Sequence, residues 1–305
     1  MNKAIYIATS EENSGKSIVT LGLMSMLIGR TAKVGYFRPI VEDFEEGELD
    51  NHIDTVINHF GLDISFHDAY AIKKSKLIKK KNKGKLGEVI DLIIEKYKQL
   101  EEQFDFVLVE GTSFTGEGAV IEMDMNVLIA KNLGIPAIIV GSGVNKTLDE
   151  LVDGMCLAYD SFKQKDVEVL AVIGNKVESQ NIELVTSGLK KNLPDGVLIN
   201  AIPMIPSLKN TTIQEIVKAL DAKVLFGESY LNNQISSFSV GAMQLRNYLN
   251  HLKEDGLVIT PGDRADIILG ALQANESKNY PSISGIVLTG NIIPEDTILK
   301  LIEGL

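Results

Sequence analysis

Ala4-Ile5-Tyr6-Ile7-Ala8-Thr9-Ser10-Glu11-Glu12-Asn13-Ser14-Gly15-Lys16-Ser17 decides the fold of this chain. A short apolar run enters a loop of small and polar residues, and a helix-like run from Ile18 to Leu27 leaves it. Strand, loop, Gly-Lys-Ser and helix in that order form the setting of a P-loop. Backbone N–H groups and the helix N-terminus point at a polyphosphate, the lysine adds a point charge, and the serine hydroxyl can ligate Mg²⁺. Ser14, Gly15, Lys16 and Ser17 are therefore candidate nucleotide-binding residues, with Ser17 also a candidate metal ligand. Ser10 stands where the usual pattern places its first glycine, so a variant loop is expected, because serine resists positive φ.

Working outward, short β-rich runs alternate with amphipathic helical runs, the signature of a parallel sheet covered by helices. Strands are expected near Ala4–Thr9, Lys33–Phe37, Phe106–Glu110, Pro136–Val140, Val169–Gly174 and Val197–Ile202. Helices are expected near Lys16–Ile28, Asp54–Phe60, Lys85–Gln103, Val120–Asn132, Thr147–Lys163, Ile182–Asn192 and Ile213–Ala219. The fold class is thus α/β, a P-loop-type parallel sheet flanked by helices. An acidic stretch, Glu42 to Asp50, and a basic one, Lys73 to Lys85, interrupt the alternation. Both read first as solvated surface, and the basic run alternatively as a seat for a nucleotide or an acidic partner.

Asn232-Asn233-Gln234 looks like a junction, which divides the chain into residues 1–230 and a smaller α/β unit at 231–305. In that unit strands are expected at Ile235–Val240, Leu257–Thr260 and Gly285–Leu288, and helices at Ala242–Leu252, Ala265–Asn275 and Glu295–Ile302. The chain stops directly after a helix, where the alternation calls for another strand, so it reads as a fragment. Two domains also suit 305 residues, since single cores seldom grow past about 250–300.

The net charge of −11, from 30 basic and 41 acidic residues, argues against a general nucleic-acid surface. Aromatics at 6% leave little for stacking on bases. No run reaches the roughly 18 apolar residues of a membrane span, and the amino terminus does not form a signal peptide. The single cysteine, Cys156, permits no internal disulfide; it reads as a buried filler, and a cytoplasmic setting is expected.

Glu110 ends a strand, where ligands of open α/β sheets collect, so it is a candidate Mg²⁺ carboxylate. Asp54, and less directly Asp50, offers a second one. Asn175 also follows a strand; its amide can pair with an adenine edge, or the residue can serve a left-handed turn. Arg38-Pro39 places a permanent cation near the same crevice. His52, His59, His67 and His251 lack metal-ligand spacing, and no nucleophile motif or Ser-His-Asp set is present.

The first 227 residues resemble the dethiobiotin synthetase-like branch of P-loop proteins. The likeness rests on residues 9–17, Phe37-Arg38-Pro39-Ile40, Val109-Glu110-Gly111-Thr112 and Gly174-Asn175-Lys176-Val177. It implies phosphate contacts at Gly15, Lys16 and Ser17, a metal carboxylate at Glu110, adenine recognition at Asn175, and ATP with Mg²⁺ as ligands. Two departures weigh against ligase chemistry: the family's Lys-Pro is Arg38-Pro39, and the glycine-rich continuation is Thr112-Ser113-Phe114.

Thr260-Pro261-Gly262-Asp263-Arg264-Ala265-Asp266, followed by Leu288-Thr289-Gly290-Asn291, looks like a DRTGG domain with Asn291 replacing the last glycine. Both modules in this order resemble the amino-terminal region of long-form phosphate acetyltransferases. That resemblance implies a regulatory and oligomerising arm whose partners are a separate carboxyl-terminal catalytic domain and further copies of the chain. No catalytic residue of that reaction can then be named in this chain, and its charge and hydropathy lead to no expected nucleic-acid or membrane partner. Asp263 and Arg264 form a candidate effector site, or else a helix cap and ion pair. Three readings follow: a nucleotide-sensing regulatory fragment, a degenerate P-loop scaffold, and an ATP-dependent carboxylate–amine ligase. The scaffold reading leans on Glu11 and Glu12, whose charges repel phosphate if they face inward.

Overall fold

Period-two alternation along the apolar runs sets the architecture, because neighbouring side chains of a strand point to opposite faces. The computed structural model describes residues 3–305 apart from 12, 32, 46–47 and 113–118, with the backbone alone at 119–122. Two compact units divide at Met204/Ile205.

The first unit runs β1 (Ala4–Thr9), α1 (Lys16–Ile28), β2 (Val34–Phe37), β3 (Ile40–Val41), α2 (Asn51–Phe60), β4 (Ile72–Lys73), α3 (Lys74–Asn82) and α4 (Leu86–Gln103). It continues through β5 (Phe106–Glu110), α5 (Ala119–Leu133), β6 (Ala137–Ser142), α6 (Leu148–Lys163), β7 (Val169–Val177), α7 (Ile182–Asn192) and β8 (Leu198–Pro203). Six strands form one parallel sheet in the order β2-β5-β1-β6-β7-β8. On β1, Ala4, Tyr6 and Ala8 enter the core beneath α4–α7, whereas Ile7 enters the core beneath α1 and α2. Burial on both faces is why these strands read as nearly continuous apolar runs. The expected parallel sheet flanked by helices is present.

The acidic and basic interruptions are parts of one substructure. β3 pairs with β4 in parallel, Lys74 lies 3.5 Å from Glu42, and Ser75 donates to Asp43 through both N–H (3.0 Å) and hydroxyl (2.7 Å). The basic run is a helix from Lys74 to Asn82 rather than irregular surface.

The second unit contains β9 (Thr211–Thr212), α8 (Ile213–Leu220), β10 (Gln234–Ile235), β11 (Ser237–Val240), α9 (Leu245–Tyr248), β12 (Gly256–Pro261), α10 (Ala265–Asn275), β13 (Ile283–Thr289) and α11 (Asp296–Glu303). β11-β12-β13 is a parallel sheet, and Tyr248, Val258, Ile267 and Ala271 fill its core. The division falls earlier than the boundary expected after residue 230. β9 pairs antiparallel with β10, and Ile213 lies against Gly285 of β13, so the segment around α8 folds with the second unit. The helix expected over Ala242–Leu252 is reduced to α9 and a 3-10 turn at Leu249–His251. Arg264 explains the loss: it donates to the carbonyls of Gly241 (3.2 Å) and Met243 (2.6 Å), which holds that stretch in a loop. No described helix is long and apolar enough to cross a membrane.

Candidate functional site

The loop between β1 and α1 lies at the carboxyl end of a central strand, where parallel sheets hold their ligands. Left-handed backbone occurs at Asn13 (φ 54°) and Gly15 (φ 79°) but not at Ser10, so serine is accepted in the place of the first glycine. Gly15 has no such latitude, since a Cβ there would lie 2.4 Å from Nδ2 of Asn175. Gly15 is also the N-cap of α1, and no side chain caps that helix. By contrast α2, α6 and α8 are capped by Asp50, Thr147 and Thr212. Ile18 N–H turns to the Gly15 carbonyl at 3.1 Å, and the helix dipole favours an anion at this end of α1.

A kink in β7 shapes this loop from outside. The β7–β8 register slips between Gly174 and Val177, and Lys176 takes φ 55°. Asn175 and Lys176 turn onto the loop: Asn175 Nδ2 donates to the Ser14 carbonyl at 2.8 Å, and Lys176 Nζ donates to the Asn13 carbonyl at 2.5 Å. The Asn175 amide therefore holds Ser14, and the left-handed position expected of it belongs to Lys176. Glu11 is tied as well, its Oε1 accepting from Ser142 N–H (2.9 Å) and Lys146 Nζ (2.5 Å). Its charge is offset on the β6 side, which removes half of the repulsion argument; Glu12 lies outside the described residues. Lys146 also lines a cavity of about 380 Å³ at the ends of β6 and β7, together with Gly143 and Val177.

Lys16 is buried; its ammonium donates to the Gly111 carbonyl and sits 4.0 Å from Glu110 Oε1. Glu110 is 1% exposed. Tyr36 donates to its Oε2 at 2.9 Å, and burial, followed by the Glu110 charge, pushes the Tyr36 phenol well above its ordinary value, so it stays a donor. Among the described residues Glu110 Oε1 is buried without a hydrogen-bond partner. Such an acceptor is costly to leave unsatisfied, and a cation would satisfy it. Among the described residues no three His, Cys, Asp or Glu side chains gather to hold a metal by themselves. The residues present fit Mg²⁺, which takes one or two carboxylates and completes its shell with phosphate oxygens and water.

His52 is the member that sequence reasoning missed. Its Nδ1 lies 2.8 Å from Ser17 Oγ and 3.8 Å from Glu110 Oε1. Burial, followed by the nearby Arg38 charge, lowers the imidazole below its ordinary value, which favours the neutral ring. Its only signal was position: two residues beyond an N-cap Asp, on the helix after Arg38-Pro39. Asp50 caps α2, accepting from the N–H groups of His52 and Ile53, both at 3.1 Å. It also takes Arg38 NH1 at 2.7 and 2.9 Å. Arg38 is 4% exposed, a buried partner of Asp50. Asp54, in the first turn of α2, accepts from Asn58 at 2.9 Å. Beyond Glu110, the Thr112 backbone is fixed by Asn126, which accepts from Thr112 N–H (2.9 Å) and from the Tyr6 hydroxyl (2.7 Å). Ser113 and Phe114 lie outside the described residues.

In the second unit Arg264 pairs with Asp266 at 2.8 Å while holding Gly241 and Met243. Arg264, not Asp263, occupies the N-cap of α10, and no side chain caps that helix. The ion pair of Arg264 is thus with Asp266 rather than Asp263.

Residues 3–212 match the family model described as an AAA domain, and residues 215–305 match that of a DRTGG domain. The chain belongs to the AAA-domain family. Behind its AAA domain the DRTGG module stands in the expected order. Curated phosphate acetyltransferases from Synechocystis sp. and Nitratidesulfovibrio vulgaris are each 37% identical to it over 100% of its length and 44% of their own. The phosphate acetyltransferase of Pseudomonas aeruginosa is 29% identical over 98% of the chain and 44% of its own length. The chain thus spans less than half of the curated relatives it matches. An apo GTPase from Pyrococcus abyssi overlaps 84% of the chain and 90% of its own at a TM-score of 0.37 and 13% identity.

Proposed function

We propose that this chain is the nucleotide-sensing regulatory arm of a cytoplasmic phosphate acetyltransferase. The acyl transfer between acetyl-CoA and phosphate would belong to a catalytic domain outside these residues. The observation that carries the reading is the likeness of the entire chain to phosphate acetyltransferases of which it spans 44%. The P-loop supplies the sensing half. The uncapped α1 and Lys16 would hold the phosphates, and Ser17 and Glu110 would hold Mg²⁺, with Asp54, in the first turn of α2, a further candidate carboxylate. The metal would supply charge neutralisation between phosphate oxygens. The buried Oε1 of Glu110, which accepts no hydrogen bond among the described residues, supports that placement. Asn175 would meet the base through its carbonyl oxygen, because its amide already holds Ser14. A ligand that binds one arrangement of the arm more tightly biases whatever is attached to it, and association between copies of the arm is part of the same proposal.

The ligase alternative needs a cation free to meet substrate where Arg38 stands, and Arg38 is buried against Asp50. The test pairs calorimetry with an activity assay. ATP–Mg²⁺ should bind this chain with a Mg²⁺-dependent component that Lys16→Ala removes, while the chain alone forms no acetyl phosphate from acetyl-CoA and phosphate. Acetyl phosphate formed unaided would overturn the regulatory reading; absence of ATP–Mg²⁺ binding at millimolar ligand would return the chain to a scaffold.

A further inference from the structure

A second cavity, of about 370 Å³, is bounded by β4, α3 and α4, and none of its walls comes from the P-loop, Glu110 or Asn175. Lys73, Lys76, Lys79 and Lys80 line it, together with Tyr70 and Leu92. Among the described residues no carboxylate lines it. Four lysines lining one hollow are unusual for a chain of net charge −11.

Local structure explains part of the cluster and leaves a remainder. Lys79 and Lys80 sit in the last turn of α3, where the helix dipole favours cations. Lys80 pairs with Glu88 at 2.9 Å, and Lys85 takes the other oxygen of the same carboxylate at 2.7 Å. Lys73 donates to the Phe44 carbonyl at 2.9 Å and lies 3.5 Å from the Phe44 ring centroid. Lys76 and Lys79 are exposed and form no ion pair or hydrogen bond among the described residues. Residues 76, 79 and 80 share one helix face, so like charges repel there. Lysine stems, Leu92 and the Tyr70 ring give the hollow an apolar floor beneath its charged rim.

We propose that this hollow is a second anion site, separate from the P-loop, for a small molecule carrying two or more phosphoryl groups. Clustered point charges on flexible stems suit phosphoryl oxygens, which several ammonium groups share without a fixed geometry. The volume lies within the roughly 300–1,000 Å³ of small-molecule sites. An apolar floor beside the charges gives an organic polyphosphate an advantage over a bare inorganic chain.

The experiment is calorimetry with inorganic tripolyphosphate and with ADP on the Lys16→Ala chain, where the P-loop is disabled. Both probes should bind, more weakly as salt rises; tighter ADP would identify an organic ligand, and equal affinities an inorganic one. K76E/K79E should weaken binding by at least about tenfold, whereas K81E/K83E, the same charge change outside the hollow, should weaken it far less. Amine acylation read by mass spectrometry gives a measurement without substitutions in the hollow, with Lys76 and Lys79 protected by tripolyphosphate and Lys81 and Lys83 not. The proposal is overturned by any of three results: no binding of either probe, equal weakening by the two double variants, or binding confined to heparin or anionic vesicles.

Discussion

Ser17 Oγ lies 2.8 Å from Nδ1 of His52, so the hydroxyl proposed for Mg²⁺ is engaged by α2. A metal that takes this hydroxyl competes with the imidazole. His52→Ala should tighten ADP–Mg²⁺ binding, because that hydrogen bond, worth about 0.5–1.5 kcal/mol, no longer has to be exchanged. The gain is roughly two- to twelvefold. Metal-free ADP should bind the variant and the parent alike. Equal affinities of parent and variant in Mg²⁺ would show that Ser17 does not meet the metal.

Asn175→Ala removes the donor to the Ser14 carbonyl, and Ser14 is buried. An acceptor left without its partner costs about 1–3 kcal/mol. For a unit of this size the melting temperature should fall by roughly 2–4 °C per kcal/mol. Nucleotide affinity should drop as well, since the loop loses its hold on Ser14. An unchanged melt with unchanged affinity would leave the amide without a structural role.

Gly262→Ala tests the DRTGG module by itself. A Cβ at Gly262 would lie 1.7 Å from the Ile292 carbonyl oxygen, a backbone atom that cannot swing aside. Overpacking of this kind costs about 1–3 kcal/mol, often more against backbone. Hydrogen exchange should accelerate along β12 and β13 and stay unchanged in β1 and β5. Uniform protection across all four strands would mean that the Ile292 loop moves at little cost.

Asp266 supplies a pH dependence with a definite sign. Its carboxyl is held below the ordinary 3.8, first by the hydrogen bond from Arg264. A depressed native value means that the ionised form stabilises the fold. The contribution is complete above the unfolded value and fades as pH falls through the native one. The urea-midpoint difference between parent and Asp266→Asn should therefore shrink between roughly pH 5 and pH 2. A difference constant over that range would assign the effect of the substitution to something other than the ion pair.

The β1–loop–α1 segment was legible because pattern and motif coincide there: Ala4–Thr9 and Lys16–Ile28 stand where the alternation and Gly-Lys-Ser place them. Glu110 was legible for the same reason, as the last residue of an apolar run. His52 was not, since a lone histidine near a helix start carries no spacing that points at Ser17. The domain boundary was misplaced because Asn232-Asn233-Gln234 reads as a linker, whereas Gln234 belongs to a ribbon with Thr212. The shortened helix after Gly241 depends on Arg264, a partner 23 residues on, beyond the reach of any local pattern.

The kink at Asn175 and Lys176 bears on how fast a ligand is captured. Both residues grip carbonyls of the loop after β1, so the places of Asn13 and Ser14 are established during folding, and a ligand need not wait for them to rearrange. Encounter then governs association. In a stopped-flow experiment the observed rate should climb in proportion to nucleotide concentration, with no plateau. Releasing the grip at either residue would introduce one.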